Sequence, residues 1–266
     1  MTLFDLSGKV AVITGSSKGI GQAIAERMAE HGAKVVISSR KADACETVAE
    51  GIRSRGGEAI VQGCHVGRKE ELQGLVDATM AKWGRIDILV CNAAVNPHYG
   101  PSIGITDEVY DRVMNTNVRS NFWLCNMVLP GMALRKEGNV IVVSSIAGVQ
   151  GTDRLGLYGL SKAADMQLTR NIAVEWGPHN IRANCLAPGV IKTEFSRALW
   201  DNPNSVSLQA MKQAPLQRIG TTDEVAGAAV FLCSDAGAFI TGQTLLIDGG
   251  RSIGRVSQDS LSTSQP

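Results

Sequence analysis

Short apolar, β-branched runs alternate along this chain with longer stretches in which apolar residues return every third or fourth position. The runs Val10–Thr14, Lys34–Ser38, Ala59–Gly63, Ile86–Cys91, Asn139–Val143, Ile181–Leu186 and Thr244–Ile247 predict strands that are apolar on both faces. Between them, Ile20–His31, Lys69–Trp83, Asp107–Arg135 and Leu157–Trp176 carry the spacing of amphipathic helices. Strands without a polar face, separated by helices, imply an α/β fold: a doubly wound, mostly parallel sheet of about seven strands, covered on both sides. Two segments break the rhythm, the Gly- and Pro-containing Asn96–Thr106 and the irregular Val190–Arg218. Insertions of this kind belong at the carboxyl edge of such a sheet, where ligands bind.

Composition narrows the function classes. A chain of 266 residues, 44% hydrophobic, can bury one substantial core, so residues 1–254 are expected to form one domain. The polar, Ser-rich Arg255–Pro266 reads as a weakly ordered tail or a contact with a partner subunit. A net charge of +1, from 26 basic and 25 acidic residues, provides no field to attract nucleic acid or an anionic membrane. Small-molecule partners are favoured. Cys45, Cys64, Cys91, Cys125, Cys185 and Cys233 are scattered singly, with no metal-ligand spacing, and read as buried residues in a reducing compartment. Neither a leader pattern nor a run of about 18 apolar residues occurs. A cytoplasmic location without a membrane span is therefore expected.

The first strand runs into Thr14-Gly-Ser-Ser-Lys-Gly-Ile-Gly21, which opens a helix. Gly15, Gly19 and Gly21 let backbone N–H groups approach a pyrophosphate at the positive end of that helix, where a Cβ would obstruct. The spacing G-x-x-x-G-x-G differs from the G-x-G-x-x-G fingerprint, and alone it also fits a tight turn. From about Gly8 to Gly250, however, the chain resembles the short-chain dehydrogenase/reductase family. The pieces that carry the resemblance are this turn, Asn92-Ala93-Ala94, Asn117, Ser145, Tyr158-Gly-Leu-Ser-Lys162 and Pro188-Gly189 through Thr193. It implies a Rossmann-type fold and a nicotinamide cofactor. It also implies cofactor contacts from Ser17, Ile20, Ser39, Val66, Asn92, Ala93, Ala94, Pro188, Gly189, Ile191 and Thr193, and from Tyr158 and Lys162.

Tyr158 and Lys162 stand four apart on a predicted helix, so the ammonium can lie beside the phenol and favour its ionised form, making Tyr158 a general acid or base. Ser145 can donate a hydrogen bond to a substrate oxygen as charge develops there. Taken alone, the pair also fits a solvated helix face and Ser144-Ser145 the end of a strand. The resemblance assigns the catalytic roles to these three and makes Asn117 the holder of a water linking Lys162 to solvent. No metal is expected, and His31, His65, His98 and His179 lack an evident nucleophile partner.

At the end of the second strand, Val36-Ile-Ser-Ser-Arg-Lys41 has no acid to accept a ribose 2′-hydroxyl. Arg40 can pair with a 2′-phosphate and Lys18 can add a second cation, so NADPH is favoured and NAD(H) is the alternative. The chain departs from the family at His65, where many relatives carry Asp toward the adenine, and at Ala94, where Gly is common. His65 is expected either on the base or in solvent. The segments around Cys64, Asn92 and Cys185 are similar to the NADPH-dependent carbonyl and retinal reductase branch, some of whose members are peroxisomal. The C-terminal Ser264-Gln-Pro266 is not the peroxisomal Ser-Lys-Leu type of signal.

Carbonyl reduction is therefore the leading expectation, on an apolar or aromatic substrate held by Phe195, Leu199, Trp200, Leu155 and Tyr99. Asp153 and Arg154 would instead reach a polar substituent. A 3-oxoacyl-carrier-protein reductase, an NAD-dependent alcohol or sugar dehydrogenase and a cofactor-binding sensor are the rivals. The resemblance also implies a homotetramer built partly by Asp107–Arg135 and Leu157–Trp176.

Overall fold

The computed structural model describes residues 2–202, 206–212 and 214–256. Seven strands form one sheet in the order β3-β2-β1-β4-β5-β6-β7. They are β1 (Val10–Thr14), β2 (Lys34–Ser38), β3 (Ala59–Val61), β4 (Ile88–Cys91), β5 (Gly138–Val143), β6 (Ile181–Pro188) and β7 (Thr244–Ile247). Every pairing is parallel, with Thr14 beside Ser38 and Cys91 beside Val142. The expected doubly wound sheet is therefore present, and entirely parallel.

Helices cover both faces. They are α1 (Gly19–Glu30), α2 (Ala42–Ser54), α3 (Lys69–Trp83), α4 (Asp107–Met114), α5 (Ser120–Arg135), α6 (Gly156–Trp176), α7 (Arg197–Trp200), α8 (Val206–Lys212) and α9 (Thr222–Cys233). One core packs Ile24 and Met28 of α1 and Val225 and Ala229 of α9 against Ile13 and Ile37 of the sheet. The other packs Leu72 and Leu75 of α3 and Leu124 and Leu129 of α5 against Val12 and Leu89. Side chains alternate between the two faces of each strand, and helices meet both, so nearly every position of β1, β2 and β4 is buried.

Four helices, α2, α7, α8 and α9, go beyond the sequence expectation. The pattern Cys45, Val48, Ala49, Ile52 builds α2, and α9 is set by a capping box in which Thr221 and Glu224 bond each other's backbone N–H. The expected long helix Asp107–Arg135 is interrupted by a π-helical turn, Asn115–Arg119, between α4 and α5. The irregular Val190–Arg218 region contains α7 and α8, and of the expected tail Arg255–Pro266, residues 257–266 lie outside the described residues.

At the amino edge of the sheet, buried Asp87 accepts the Val10 N–H at 2.9 Å and the Arg85 guanidinium at 2.6 to 2.9 Å. Glu137 extends this network to Arg85 and Lys9. The opposite, carboxyl edge is shaped by the neighbours β1 and β4, from which the chain departs in opposite directions. That reversal opens a crevice above their ends.

Candidate active site

The turn from β1 into α1 lies in this crevice. Gly15 and Gly19 have φ of +65° and +63°, which L side chains rarely adopt, and a Cβ on Gly21 would stand 2.5 Å from both Asn92 Nδ2 and Gly15 O. Lys18, at the start of α1, makes no side-chain bond to the helix, and the first turn contains no acid. The first-turn N–H groups and the helix dipole are thus available to an anionic ligand. Neighbours fix the turn. Ser16 Oγ donates to Ile13 O at 2.7 Å and accepts the Ser38 N–H at 2.8 Å. Asn92 Nδ2 donates to Thr14 O at 2.9 Å and Gly15 O at 3.2 Å, and Thr14 Oγ1 accepts the N–H groups of Asn92 and Ala93. Asn92 therefore acts as a strut of the cradle through its side chain. Ser16 and Thr14 were not singled out in the sequence.

Around the cradle stand the other residues expected to meet a cofactor. Arg40 and Lys18 are exposed, and neither forms an ion pair with a described residue. Ser39 follows β2, while Val66 packs at the rim of the core. His65 is half-buried, and its Nδ1 accepts the Gly67 N–H at 3.1 Å. Pro188 ends β6, Gly189 follows, Ile191 pairs with Gly220, and Thr193 covers Gly19, whose added Cβ would meet its Cγ2 at 3.5 Å. Ile20 opens α1 beside Ser17 and Ala94 follows the β4 cradle strut, so the whole set converges on one edge. These residues fit a dinucleotide: an N–H cradle for the pyrophosphate and free cations beside the second strand.

The chemistry-bearing side chains come from β5 and α6. Ser145, after β5, begins the short turn Ile146–Gly148, and its Oγ accepts the Ala147 N–H at 3.1 Å, leaving its own proton to donate. That turn lies directly on α6. A Cβ on Gly148 would be 2.7 Å from the Lys162 backbone, and one on Gly159 would be 2.6 Å from Ala147 O. Two glycines thus allow Ser145 to reach Tyr158, and Ser144 locks the contact by donating to Lys162 O at 2.7 Å. Gly159→Val is expected to push turn and helix apart, costing about 1–3 kcal/mol. Thermal denaturation and kcat should both fall, whereas cofactor affinity, set across the crevice, should change less.

Lys162 is almost wholly buried at 2% exposure. Its Nζ donates to Val143 O at 2.8 Å and to Asp165 Oδ2 at 3.0 Å and lies 5.7 Å from the Tyr158 ring centroid. Burial pulls the ammonium down, but Asp165 and Tyr158 outweigh it and hold Lys162 above its usual value. For Tyr158 the balance differs from the sequence expectation. Burial raises the phenol, Lys162 lowers it, Asp165 raises it and Ser145 lowers it, and the net direction is upward. Lys162 is beside the phenol as expected, yet burial together with the neighbouring Asp165 outweighs its effect.

Asn117 is fully buried because the π-helical turn adds a residue to the helix and swings it inward. Its Oδ1 accepts the Val95 N–H at 2.8 Å, and its Nδ2 donates to Val95 O and Ser161 Oγ, both at 3.0 Å. Ser161 in turn donates to Tyr158 O at 2.7 Å. The side chain of Asn117 thus joins the loop after β4 to the Tyr158 turn.

Of the expected pocket residues, Phe195 stands 6.3 Å from Tyr158, ring to ring. The segments carrying Tyr99 and Leu155 are joined by a bridge between Gly100 and Leu155, and Arg154 lies over the Tyr99 ring at 5.9 Å. Trp200 lies under Lys192 at 5.6 Å, in the same segment as Leu199, and Asp153 is exposed beside Arg154.

A dinucleotide cradle on a doubly wound sheet, with Tyr, Lys and Ser gathered at its carboxyl edge, defines a nicotinamide-dependent oxidoreductase acting on CH–OH or C=O groups. Comparison with known proteins agrees. A family profile described as enoyl-(acyl carrier protein) reductase matches residues 15–252. The rabbit (Oryctolagus cuniculus) protein named dehydrogenase/reductase SDR family member 4 is 42% identical over 245 residues, covering 92% of this chain and 94% of that one. Human dehydrogenase/reductase SDR family member 2, mitochondrial, is 40% identical, covering 92% of this chain and 86% of its own. Among solved structures, a 7α-hydroxysteroid dehydrogenase complexed with NADH and 7-oxo glycochenodeoxycholic acid superposes with a TM-score of 0.89 at 35% identity, covering 93% of this chain and 96% of that one. A gluconate 5-dehydrogenase from Burkholderia cenocepacia, in complex with NADP and tartrate, gives 0.89 at 34%, covering 94% and 97%. The chain belongs to the short-chain dehydrogenase/reductase family.

Proposed function

We propose that this protein reduces a ketone or aldehyde to an alcohol with NADPH, using Tyr158 as proton donor, Ser145 as hydrogen-bond donor to the substrate oxygen and Lys162 as the cation beneath them. The observation that carries the reading is the convergence of Ser145, Tyr158 and buried Lys162 beside the glycine turn. When bound, the reduced nicotinamide supplies a hydride to the carbonyl carbon. The Tyr158 O–H bond then breaks as the new O–H bond forms on the substrate oxygen, and the phenolate regains its proton from water. A phenol held above its usual pKa keeps this proton at neutral pH, so the form that can donate is the populated one.

The two solved neighbours carry different nicotinamides, so the choice of NADPH rests on Arg40 and Lys18. Both are exposed and unmatched by a described acid, as a 2′-phosphate site requires. Arg40→Asp should weaken NADPH about tenfold to a hundredfold while sparing NADH. Cofactor titration by protein fluorescence, with both nicotinamides, reads this directly; equal loss for both would remove Arg40 from the 2′-phosphate site. The deciding assay follows NADPH and NADH oxidation with aromatic ketones, α-dicarbonyls, retinal, a 3-oxoacyl thioester and sugars. A carrier-protein partner is less favoured, since Arg197 is matched by Glu194 and Asp201, and Arg218 by Glu224.

One continuous sheet supports reading residues 1–254 as a single unit. Self-association into a homotetramer is supported by exposed Tyr110, Phe122, Leu134, Leu160 and Val174 on α4, α5 and α6, and by Phe239 and Ile253 near β7. Six buried, unpaired cysteines support a reducing compartment such as the cytoplasm. Among the described residues no helix is long and apolar enough to cross a membrane.

A further inference from the structure

Asp165 is fully buried on α6, three residues beyond Lys162, and the sequence reading passed over it. Its Oδ2 accepts from Lys162 Nζ at 3.0 Å and its Oδ1 from Asn121 Nδ2 at 2.9 Å. Asn121, itself buried on α5, also donates to Asn117 O at 2.7 Å, so the carboxylate is anchored to the π-helical turn. A proton-transfer site does not require an ion pair for its stability, and burying one incurs a desolvation cost that a well-packed apolar pair would avoid.

We propose that Asp165, held by Asn121, is a positioning residue for the reaction: it clamps the Lys162 ammonium against Val143 O, balances its charge and so keeps Tyr158 in the proton-carrying form that donates to a carbonyl oxygen. The inference rests on the proposed catalytic role of Tyr158. The titratable groups facing this cluster are Tyr158 and Lys162 on α6, Cys185 on β6, Cys91 on β4 and Cys125 on α5, which shares a hydrogen bond with Cys91. Burial pushes Cys185 up to about 12, and the bond to Cys125, with burial, raises Cys91 well above the thiol range. Lys162 and Asp165 are then the charges near the phenol, and the acid offsets part of the lowering that the ammonium exerts. With Asp165 neutralised, Lys162 would stand uncompensated beside Tyr158, still bonded to Val143 O, and a phenolate would become its counter-ion.

The test uses Asp165→Asn and Asp165→Leu, which remove the charge with different packing. The chain has three tyrosines, Tyr99, Tyr110 and Tyr158. In a Tyr99→Phe/Tyr110→Phe background, ultraviolet titration therefore follows Tyr158 alone, without turnover. Tyrosinate should appear about one pH unit lower in either charge-removing variant that folds. The alkaline fall of kcat/KM for carbonyl reduction, measured with both tyrosines intact, should move by the same amount. An unmoved or higher tyrosinate midpoint, with a lowered melting temperature, would assign Asp165 a packing role alone and overturn the inference. A moved midpoint with an unmoved activity limb would show that Asp165 sets the charge of the phenol but that Tyr158 is not the proton donor, and would overturn both the proposed function of Tyr158 and the role of Asp165 in the reaction.

Discussion

Tyr158→Phe is expected to lower kcat/KM by about 10²- to 10⁴-fold while leaving the affinity for NADPH nearly unchanged. The substitution removes a single hydroxyl and preserves the ring that stands 6.3 Å from Phe195, so packing around the site survives. Ser145 and Lys162 remain, and residual turnover would report their stabilisation of developing negative charge without a proton donor. In the native protein, activity in the reductive direction should hold through neutral pH and fall on the alkaline side, because the phenol is raised above its ordinary value by burial. The variant should lack that alkaline fall. Stopped assays across pH, with cofactor affinity from fluorescence, check both points; wild-type turnover in a variant that still binds NADPH would end the assignment.

The second large effect is on stability. Lys162→Met leaves the Asp165 carboxylate at 0% exposure with Asn121 as its remaining side-chain partner, and should destabilise the fold at neutral pH by about 3–5 kcal/mol. Burial already holds the Asp165 carboxyl above its usual value against the lowering by Lys162 and Asn121, and loss of the ammonium lifts the folded pKa further above the unfolded value of about 3.9. A raised acid favours the protonated native state, so the penalty is absent below that value and grows as pH rises toward the folded pKa. Denaturant melts at about pH 5 and pH 8 should therefore show the larger loss at pH 8. Lys162→Met/Asp165→Leu should recover most of the stability yet stay inactive, which separates the folding role of the pair from its chemistry. An equal loss at both pH values would show that no stranded charge is involved.

The alternation of β-branched runs with helical spacing was enough to place the strands and the four anticipated helices, because a parallel sheet covered on both faces demands uninterrupted apolar strands. Local patterns also marked the glycine turn and the Tyr158–Lys162 spacing, which are properties of neighbouring residues. Boundaries were less legible. The expected Ala59–Gly63 closes at Val61 and Ile181–Leu186 extends to Pro188, since pairing with the adjacent strand sets where a strand ends. The helix α9 was missed because its small residues are apolar nearly all round and show little periodicity.

What the tertiary structure alone decided is the electrostatic character of the site. The chain records that a lysine lies one turn from Tyr158. It also places Asp165 one turn beyond that lysine, but it does not record that the pair is buried, that Asn121 from another helix holds the acid, or that Gly148 and Gly159 let two backbones meet. Sequence spacing determines which side chains share a helix face. Whether a charge there is screened, balanced or stranded depends on burial and on partners far away in the chain, and in a dry site those terms outweigh the local one.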